Sequence, residues 1–325
     1  MNEKIAAVVV TYNREKLLLE CLEAMKNQSQ RLDAIYIIDN KSDIFTPELL
    51  KSEGWINDIP AFSVHNNEIQ NLRIQNRKGL FVNVIYIRKK ENDGGAGGFY
   101  EGIRQAYESG YKWIWIMDDD VVPEKDSLEE LINSTKYVNN FGFLCSRVVG
   151  INGISMNMPE ICNKKGINFY PVWDELLHYG LVRIKSATFV SVLLPSEVIS
   201  KVGYPIREMF IWGDDTEYTL RISKNYPCYL AGKSVVCHKR SILRPPSIKH
   251  ENDKKRIKMQ FYVFRNNMYC IRKHRSNYQF LVYMLELINK FLFLFVRLRI
   301  YASYILLKGT ISGMTFNPPI QLPCK

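Results

Sequence analysis

Short apolar runs alternate with helical patterns through the first 120 residues, and this alternation constrains the fold more than any other feature of the sequence. Residues 15–27 follow the first run and carry apolar side chains at helical spacing. The buried-strand runs cover 5–10, 34–38, 81–87 and 113–117. Strands that alternate with helices form right-handed units around parallel strands, and ligands bind where those strands end. The sequence therefore predicts an α/β fold whose sheet is flanked by helices.

The pattern becomes irregular after Cys145, where loops separate shorter apolar runs. A helix is predicted from about Asp215 to Lys224. The strand candidates of this half are 182–184, 189–194 and 235–237. We expect them to extend the first sheet rather than to form an independent domain.

The length of 325 residues suits about two structural units. We expect the first unit to cover 1–240, with one half at about 1–120 and the other at about 121–240. The second unit is predicted at 241–325 as a basic, mostly helical C-terminal extension.

The C-terminal extension begins with a strongly basic stretch and continues with an apolar one. Between Lys239 and Arg275 there are twelve Lys or Arg residues, Arg244 among them, against two acids. Residues 278–307 are apolar and aromatic, but four charged residues interrupt them, and no charge-free window reaches the roughly 20 residues of a spanning helix. An amphipathic helix or helical hairpin on an anionic membrane surface is predicted. The alternative is a helical core element or a dimer contact.

The composition indicates the cellular compartment of the protein but does not identify its partner. The formal net charge of +11 suits nucleic acid, an anionic membrane or a phosphorylated substrate. The seven cysteines, Cys324 among them, form no CxxC pair, which argues against a disulfide framework and for a reducing compartment. The apolar stretch near the N-terminus is too short for a signal-peptide core. A cytoplasmic location is therefore expected.

Three adjacent carboxylates, Asp118, Asp119 and Asp120, directly follow the strand run at 113–117. Their mutual repulsion calls for a cation, and carboxylate oxygens suit Mg²⁺ or Mn²⁺. Alternation along an extended chain places Asp118 and Asp120 on one side and Asp119 on the other. The alternative interpretation is a solvated acidic turn before a helix that begins near Glu124.

A second acidic pair, Asp214 and Asp215, follows an aromatic run at 210–212 and precedes the predicted helix. Burial and like charge adjust the pKa of paired carboxylates, as general-base catalysis requires. Helix capping is the alternative, because acids are favourable in a first helical turn. The residue types alone do not decide which of the two is the reactive one.

A glycine-rich segment at 92–98, predicted to be a loop before a helix from about Phe99 to Ser109, and a single histidine complete the candidates. Glycines between a strand and a helix allow a nucleotide or its phosphates to approach closely. The segment lacks the Lys-Ser/Thr of a P-loop and the spacing of a dinucleotide fingerprint, which disfavours nucleoside triphosphatases and nicotinamide dehydrogenases. His238 directly follows the last strand candidate, although a lone histidine is more often structural than a metal ligand.

Together these motifs resemble family 2 inverting glycosyltransferases, in matching order over roughly residues 4–240. The matching segments are VVTYNR at 9–14, Asp39-Asn40, NDGGAGGF at 92–99, the three aspartates at 118–120, WGDD at 212–215 and the later His238. The branch they resemble most is that of bacterial galactofuranosyl- and rhamnosyltransferases. Even the segment YVFRNN at 262–267 is similar to that branch.

The resemblance implies a GT-A fold, a Rossmann-like mixed sheet, and a divalent cation, Mn²⁺ or Mg²⁺. It implies that Asp118, Asp120 and His238 bind the metal. It also implies that Asp215 deprotonates the acceptor hydroxyl, with Asp214 beside it. The half at 1–120 would then bind the nucleotide sugar, and the half at 121–240 the acceptor. The donor-binding residues that it implies are Thr11, Tyr12, Asn13, Arg14, Asp39, Asp93 and, on the other side of the aspartate motif, Asp119.

The expected function is metal-dependent transfer of one sugar, galactofuranose or rhamnose, from a nucleotide such as UDP to a lipid-linked saccharide in cell-surface polysaccharide synthesis. Galactofuran polymerases of this branch are much larger, which favours a single addition here. The enzyme is expected at the inner face of the cell membrane as a peripheral protein, with a homo-oligomer as a further expectation and no nucleic-acid partner. The alternatives are a sugar nucleotidyltransferase and a nucleic-acid-binding protein that uses the basic stretch.

Overall fold

The computed structural model describes residues 3–240 and 247–323, and its central element is a single sheet of 11 strands. Arg244 and Cys324 lie outside the described residues. The strands are β1 (Ile5–Thr11), β2 (Ala34–Asp39), β3 (Glu68–Gln75), β4 (Phe81–Arg88), β5 (Trp113–Asp118), β6 (Val121–Pro123), β7 (Leu144–Val149), β8 (Glu160–Ile161), β9 (Leu181–Ser186), β10 (Val192–Pro195) and β11 (Cys228–His238). The four strands predicted in the first half are confirmed to within one residue at each end.

The sheet is mixed, and its second half continues the first without a break. The strand order is β3-β4-β2-β1-β5-β10-β7-β11-β9-β8, and β6 pairs with β11. Strands β4, β2, β1 and β5 are parallel to one another, whereas β10 runs antiparallel to β5 and joins the two halves. The prediction that the later strands extend the same sheet is thus confirmed, as is the α/β fold with a mixed sheet.

Helices cover both faces of the sheet and form the C-terminal region. Within the described residues they are α1 (Glu15–Lys26), α2 (Phe45–Ser52), α3 (Gly94–Glu108), α4 (Ser127–Ser134), α5 (Ser196–Val202), α6 (Asp214–Ser223), α7 (Lys254–His274), α8 (Asn277–Val296) and α9 (Ile300–Thr315). Successive residues of β1 show how the sheet is covered. Ala7 and Val9 pack into the cluster that includes α1 and α4, whereas Val8 and Val10 pack into the cluster that includes α3, α5 and α6.

The glycine-rich segment is helical, which corrects the expectation of a loop followed by a helix from about Phe99. Helix α3 begins at Gly94, so that its glycines form the first turns. A Cβ on Gly98 or on Gly102 would lie 2.3 Å from a methyl carbon of Val10 or Val8. These glycines therefore let α3 lie close against β1, a packing role that the local sequence does not distinguish from phosphate binding.

The C-terminal helices share a hydrophobic cluster and pack closely on one another. A Cβ on Gly309 of α9 would lie 2.7 Å from the carbonyl oxygen of Phe261, and one on Gly313 would lie 2.6 Å from that of Arg265. Small residues spaced four apart on α9 thus allow its backbone to approach α7 closely. The predicted boundary near residue 240 stays a prediction.

Helix α8 differs from α7 and α9 in how little of it is covered. Its apolar window has a mean hydropathy of 1.6, and only 11% of that window is buried. Among the described helices it is the one whose length and composition suffice to cross a membrane, although it contains Glu286 and Lys290. No segment of that kind was expected from the sequence, because charged residues interrupt every apolar window of spanning length.

Candidate active site

The carboxyl ends of three neighbouring parallel strands meet at one edge of the sheet. The strand register pairs Thr11 of β1 with Asp39 of β2, and Val10 of β1 with Asp118 of β5. Ligand sites in open α/β sheets form where parallel strands end in this way. The residues predicted from the ends of different strands therefore converge on one place.

Pairing of β6 with β11 brings His238 to the aspartate motif. The register places His238 opposite Val121, one residue beyond Asp120. Ligand atoms of Asp118, Asp120 and His238 all lie within 4.8 Å of one another. The three residues predicted to bind metal are therefore assembled from two segments more than 100 residues apart.

The donor set suits a divalent cation. The Nδ1 atom of His238 lies 2.9 Å from the amide oxygen of Asn157, so in the neutral ring this nitrogen carries the proton. Its Nε2 atom then presents a lone pair 3.1 Å from Oδ1 of Asp120, a buried oxygen that no described donor reaches with good hydrogen-bond geometry. Two acceptors that face each other need a proton or a cation between them. The two carboxylates suit Mn²⁺ or Mg²⁺, and the imidazole nitrogen favours Mn²⁺, the softer of the two ions.

The electrostatics of the aspartate motif point the same way. Burial raises the pKa of Asp118 well above its usual range, and the negative charges of Asp120 and Asp119 raise it further. Burial also raises the pKa of Asp119 to about 6, although Arg14 acts in the opposite direction. Asp119 and Asp120 are buried, so the alternative interpretation of the motif as a solvated acidic turn is wrong.

Arg14 and Thr11 hold the middle aspartate. Oγ1 of Thr11 donates a hydrogen bond of 2.7 Å to Asp119, and Nη1 of Arg14 donates to Asp119 at 3.2 Å and to Asp120 at 2.6 Å. Half of the Arg14 side chain remains exposed. Arg14 thus places a positive charge beside the acidic cluster with part of its surface open to a ligand.

Tyr12 and Asn13, which directly follow β1, differ in their exposure and in their contacts. The ring of Tyr12 is half exposed at this edge. Asn13 adopts a left-handed backbone with a φ of 52°, and its amide oxygen accepts a hydrogen bond of 2.8 Å from the backbone of Asp43. Its backbone N–H donates to Ser42 at 3.0 Å. Asn13 therefore ties the turn after β1 to the turn after β2.

Asp39 is fully buried rather than open to the site. Its carboxylate accepts hydrogen bonds from the hydroxyl of Tyr86 at 2.6 Å and from the backbone of Ser42 at 2.7 Å. Burial raises its pKa above the usual range despite these bonds. In this structure Asp39 shapes the turn after β2, and its contact with a nucleotide stays a prediction.

Asp93 precedes α3 and pairs with a buried lysine. Its carboxylate forms an ion pair with Lys89, and burial lowers the pKa of that lysine although Asp93 acts against the shift. A Cβ on Gly97 would lie 2.0 Å from the Asp93 carboxylate, so this glycine leaves room for the acid over the first turn of the helix. The role of Asp93 in donor binding stays a prediction.

The second acidic pair begins helix α6, as predicted to within one residue. Asp214 is buried, and burial together with the charge of Asp215 raises its pKa to about 8. Asp215 is less covered, and one of its oxygens accepts a hydrogen bond of 2.6 Å from the backbone of Thr216. Burial raises the pKa of Asp215 as well. The pKa values of both carboxylates are thus raised, which is the direction that general-base catalysis requires.

The two acidic clusters lie within electrostatic reach of each other. The charge of Asp215 is among the causes that raise the pKa of Asp118, so the two carboxylates are electrostatic neighbours although 97 positions separate them. The arrangement places a base candidate beside a cation site at the edge where the strands end. It can stabilise an anionic leaving group and remove a proton nearby.

Two residues that support this site were not predicted. Asn157, in the loop between β7 and β8, fixes the orientation of His238, and no local pattern marks it. Asn266 of α7 contacts the segment that precedes Asp214. A signal existed for Asn266, because it lies in the segment YVFRNN, but the sequence offered no role for it.

Comparisons with known proteins agree with the geometry. Residues 6–162 match the model of the family described as Glycosyl transferase family 2. Galactofuranosyltransferase GlfT1 of Mycolicibacterium smegmatis is 24% identical to this chain over 235 residues, which are 69% of this chain and 66% of that protein. Galactofuranosyltransferase GlfT1 of Mycobacterium tuberculosis is 22% identical over 239 residues, with the same coverage. The match therefore spans slightly less than two thirds of the length of these relatives.

A solved structure supports the fold alone. The crystal structure of GalNAc-T7 with UDP, GalNAc and Mn²⁺ superposes with a TM-score of 0.52 at 12% sequence identity, and the match covers 82% of this chain and 50% of that one. This superposition confirms the expected GT-A fold, and the matches to the family model and to the two relatives confirm the expected resemblance to family 2. The predicted roles of the individual site residues stay predictions.

Proposed function

We propose that this chain, a glycosyltransferase with a family 2 domain similar to the galactofuranosyltransferase branch, moves one sugar from a nucleotide-sugar donor to a saccharide acceptor with inversion at the anomeric carbon. The sugar is galactofuranose or rhamnose, and UDP is the favoured nucleotide. The observation that carries the proposal is the cluster of Asp118, Asp120 and His238 where the parallel strands end, within electrostatic reach of Asp215.

The residues that would hold a divalent cation are Asp118, Asp120 and His238. Bound there, Mn²⁺ or Mg²⁺ would offset the negative charge of the departing diphosphate. Arg14 supplies a further positive charge at the same place, and its exposed half is free to contact phosphate oxygens. Asp119, which also accepts a hydrogen bond from Thr11, holds Arg14 at the edge of the site, and Tyr12 offers its exposed ring to the base or the sugar.

Asp215 acts on the acceptor. The acceptor hydroxyl oxygen bonds to the anomeric carbon while the bond from that carbon to the diphosphate oxygen breaks, and the hydroxyl proton passes to Asp215. The nucleoside diphosphate leaves with the bonding electrons. Burial raises the pKa of Asp215, which makes it a stronger base than a free aspartate.

A screen of nucleotide sugars tests the activity. Purified protein with Mn²⁺ is incubated with nucleotide-linked galactofuranose, rhamnose, glucose and N-acetylgalactosamine, and released nucleoside diphosphate is measured. We expect release from the galactofuranose or the rhamnose donor above the others. Release of pyrophosphate from a nucleoside triphosphate and a sugar phosphate, with no donor consumed, would instead identify a sugar nucleotidyltransferase.

The acceptor is proposed to be lipid-linked, and the enzyme to work at the inner face of the cell membrane in cell-surface polysaccharide synthesis. The support is the uncovered side of α8. Leu281, Leu285, Ile288 and Leu292 lie on one side of this helix, and each is at least half exposed. The opposite side packs into the C-terminal cluster through Leu287 and Leu294. Exposed basic residues at the start of α7, at 254–256 and 258, add attraction to an anionic surface.

We expect the protein to sediment with anionic vesicles and the variant Leu285→Glu/Leu292→Glu to bind them about 10²-fold more weakly, because burying each leucine contributes about 1.5 kcal/mol or more. High salt should weaken the binding of the wild-type protein without abolishing it, since the apolar part is not screened. Vesicle sedimentation over a lipid series measures both effects.

The matched control is Ile151→Glu/Ile167→Glu, which changes two exposed isoleucines outside the C-terminal helices. It should bind vesicles as the wild-type protein does. If the α8 variant instead converts a dimer to a monomer and leaves vesicle binding unchanged, this side of α8 is a contact between copies of the chain, and the membrane proposal is wrong.

A further inference from the structure

The segment that leads into α6 has an unusual backbone. We call residues 209–213 the 209–213 loop. Phe210 and Trp212 adopt positive φ values of 64° and 60°, which L-residues rarely occupy, and Gly213 follows with a φ of 92°. Asp214 begins the helix directly after this loop. The position of Asp215 therefore depends on a backbone conformation that other contacts must maintain.

Asn266 of α7 makes those contacts from the C-terminal region. Its side-chain Nδ2 donates hydrogen bonds to the carbonyl oxygens of Met209 at 2.9 Å, Ile211 at 3.1 Å and Trp212 at 2.6 Å. An amide nitrogen carries two hydrogens, so the three carbonyls share them. Asn266 is 0% exposed. A single buried side chain thus engages most of the loop.

Arg265 fixes the orientation of the Asn266 amide. Its Nε donates a hydrogen bond of 3.0 Å to Oδ1 of Asn266, which leaves Nδ2 directed at the loop. Its Nη2 donates to the carbonyl oxygens of Glu208 at 2.7 Å and Met209 at 3.1 Å. The two neighbouring residues of α7 therefore act on the same stretch of backbone.

The loop is held from the opposite side by α3. The backbone N–H of Ala96 donates to the carbonyl oxygen of Phe210 at 3.0 Å. A Cβ on Gly94 would lie 1.9 Å from that same oxygen, so only glycine permits this approach. The loop thus lies between the glycine-rich start of α3 and Asn266, and Asp214 and Asp215 extend from it.

We infer that Asn266 is a positioning residue of the transfer reaction: its amide holds the 209–213 loop in the conformation that presents Asp215 to the acceptor. The inference rests on the proposed function, in which Asp215 is the base. It also assigns α7 a part in the active site, beyond any part in membrane binding. A shift of the base by about 1 Å is enough to lower turnover about 10²-fold without changing how the donor binds.

The test variant is Asn266→Leu, which keeps the branched side chain and its number of heavy atoms, adds no charge and removes both donor hydrogens. The matched control is Asn267→Leu, the next residue of α7, because Asn267 makes no hydrogen bond to the 209–213 loop among the described residues. We expect Asn266→Leu to lower kcat about 10²-fold. The donor KM and the affinity for nucleoside diphosphate, measured by calorimetry, should stay within about threefold of the wild-type values. Asn267→Leu should change none of them.

A packing role would give a different result. If Asn266→Leu keeps the kcat of the control, the amide does not position the base and the inference is wrong. The inference is also wrong if kcat and donor binding fall together. If Asn266→Leu does not unfold cooperatively, Arg265→Met is the deciding variant, because it frees the Asn266 amide to rotate. We expect Arg265→Met to lower kcat by a smaller factor and to leave the donor KM and the nucleotide affinity unchanged.

The outcome separates the inference from the proposed function. A wild-type protein that consumes no nucleotide sugar would overturn both. An active wild-type protein whose Asp215→Asn variant is inactive and whose Asn266→Leu variant is fully active would overturn the inference alone.

Discussion

Replacing Asp215 with asparagine is expected to lower the rate of sugar transfer by about 10²–10⁴-fold, the contribution of a single general base. The substitution preserves the size of the side chain and its hydrogen bond with the backbone of Thr216. It removes the capacity to take a proton from the acceptor hydroxyl. Donor affinity should stay near the wild-type value, because the donor contacts proposed here lie around Arg14 and the aspartate motif. Initial rates and calorimetric titration with nucleoside diphosphate measure the two quantities separately.

The matched control for that variant is Asp126→Asn, which changes an exposed aspartate at the start of another helix, α4. Its rate should be that of the wild-type protein. Wild-type turnover in Asp215→Asn would refute the role of Asp215 as the base. A loss of nucleotide binding in Asp215→Asn would instead assign Asp215 to the donor site.

The second large effect concerns the cation. The wild-type protein is expected to bind nucleoside diphosphate far more tightly with Mn²⁺ or Mg²⁺ than with excess chelator. Asp120→Ala should abolish both this dependence and the activity, because Asp120 would contribute one of the three ligands and lies beside His238. Calorimetry with and without chelator gives the affinities, and Mn²⁺ titration followed by its paramagnetic signal reports the ion directly.

Glu124→Ala serves as the control here, since Glu124 is an exposed acid four residues further along the chain. It should retain both the cation dependence and the activity. Equal nucleotide affinity of the wild-type protein with and without chelator would contradict the cation site. Retained cation dependence in Asp120→Ala would show that the ion is held elsewhere.

The first half of the fold followed from patterns that are local in the chain. Apolar runs of buried-strand length mark β1, β2, β4 and β5, and residues 15–27 show helical periodicity, because each pattern depends on residues within one element. The edge strand β3 was not predicted, since only one of its faces is partly covered and its sequence EIQNLRIQ is largely polar. The start of α3 was placed five residues too late, because glycine is a poor indicator of helix and its role there is to let the helix approach β1.

Some residues of the site could also be predicted from the sequence. Acids at the ends of strands and before a helix indicated Asp118, Asp120, Asp214 and Asp215, because parallel strands end at a common edge. That pattern indicates which acids lie at the site but not which residues contact them. The burial of Asp39 beneath Tyr86 could not be foreseen, since it depends on how the turns after β1 and β2 pack together.

The family resemblance implied that His238 joins the aspartates, but the tertiary structure decided how distant segments complete the site. His238 reaches Asp120 because β6 pairs with β11, and Asn157 orients His238 from a loop with no distinguishing pattern. Asn266 reaches the loop before Asp214 across more than 50 positions of the chain. Local sequence determines periodicity, turns and the ends of elements, whereas contacts between segments far apart depend on how the whole sheet and its helices pack. The sequence by itself therefore determined the fold class and the acids of the site, and the packing of β11 and α7 decided what holds those acids in place.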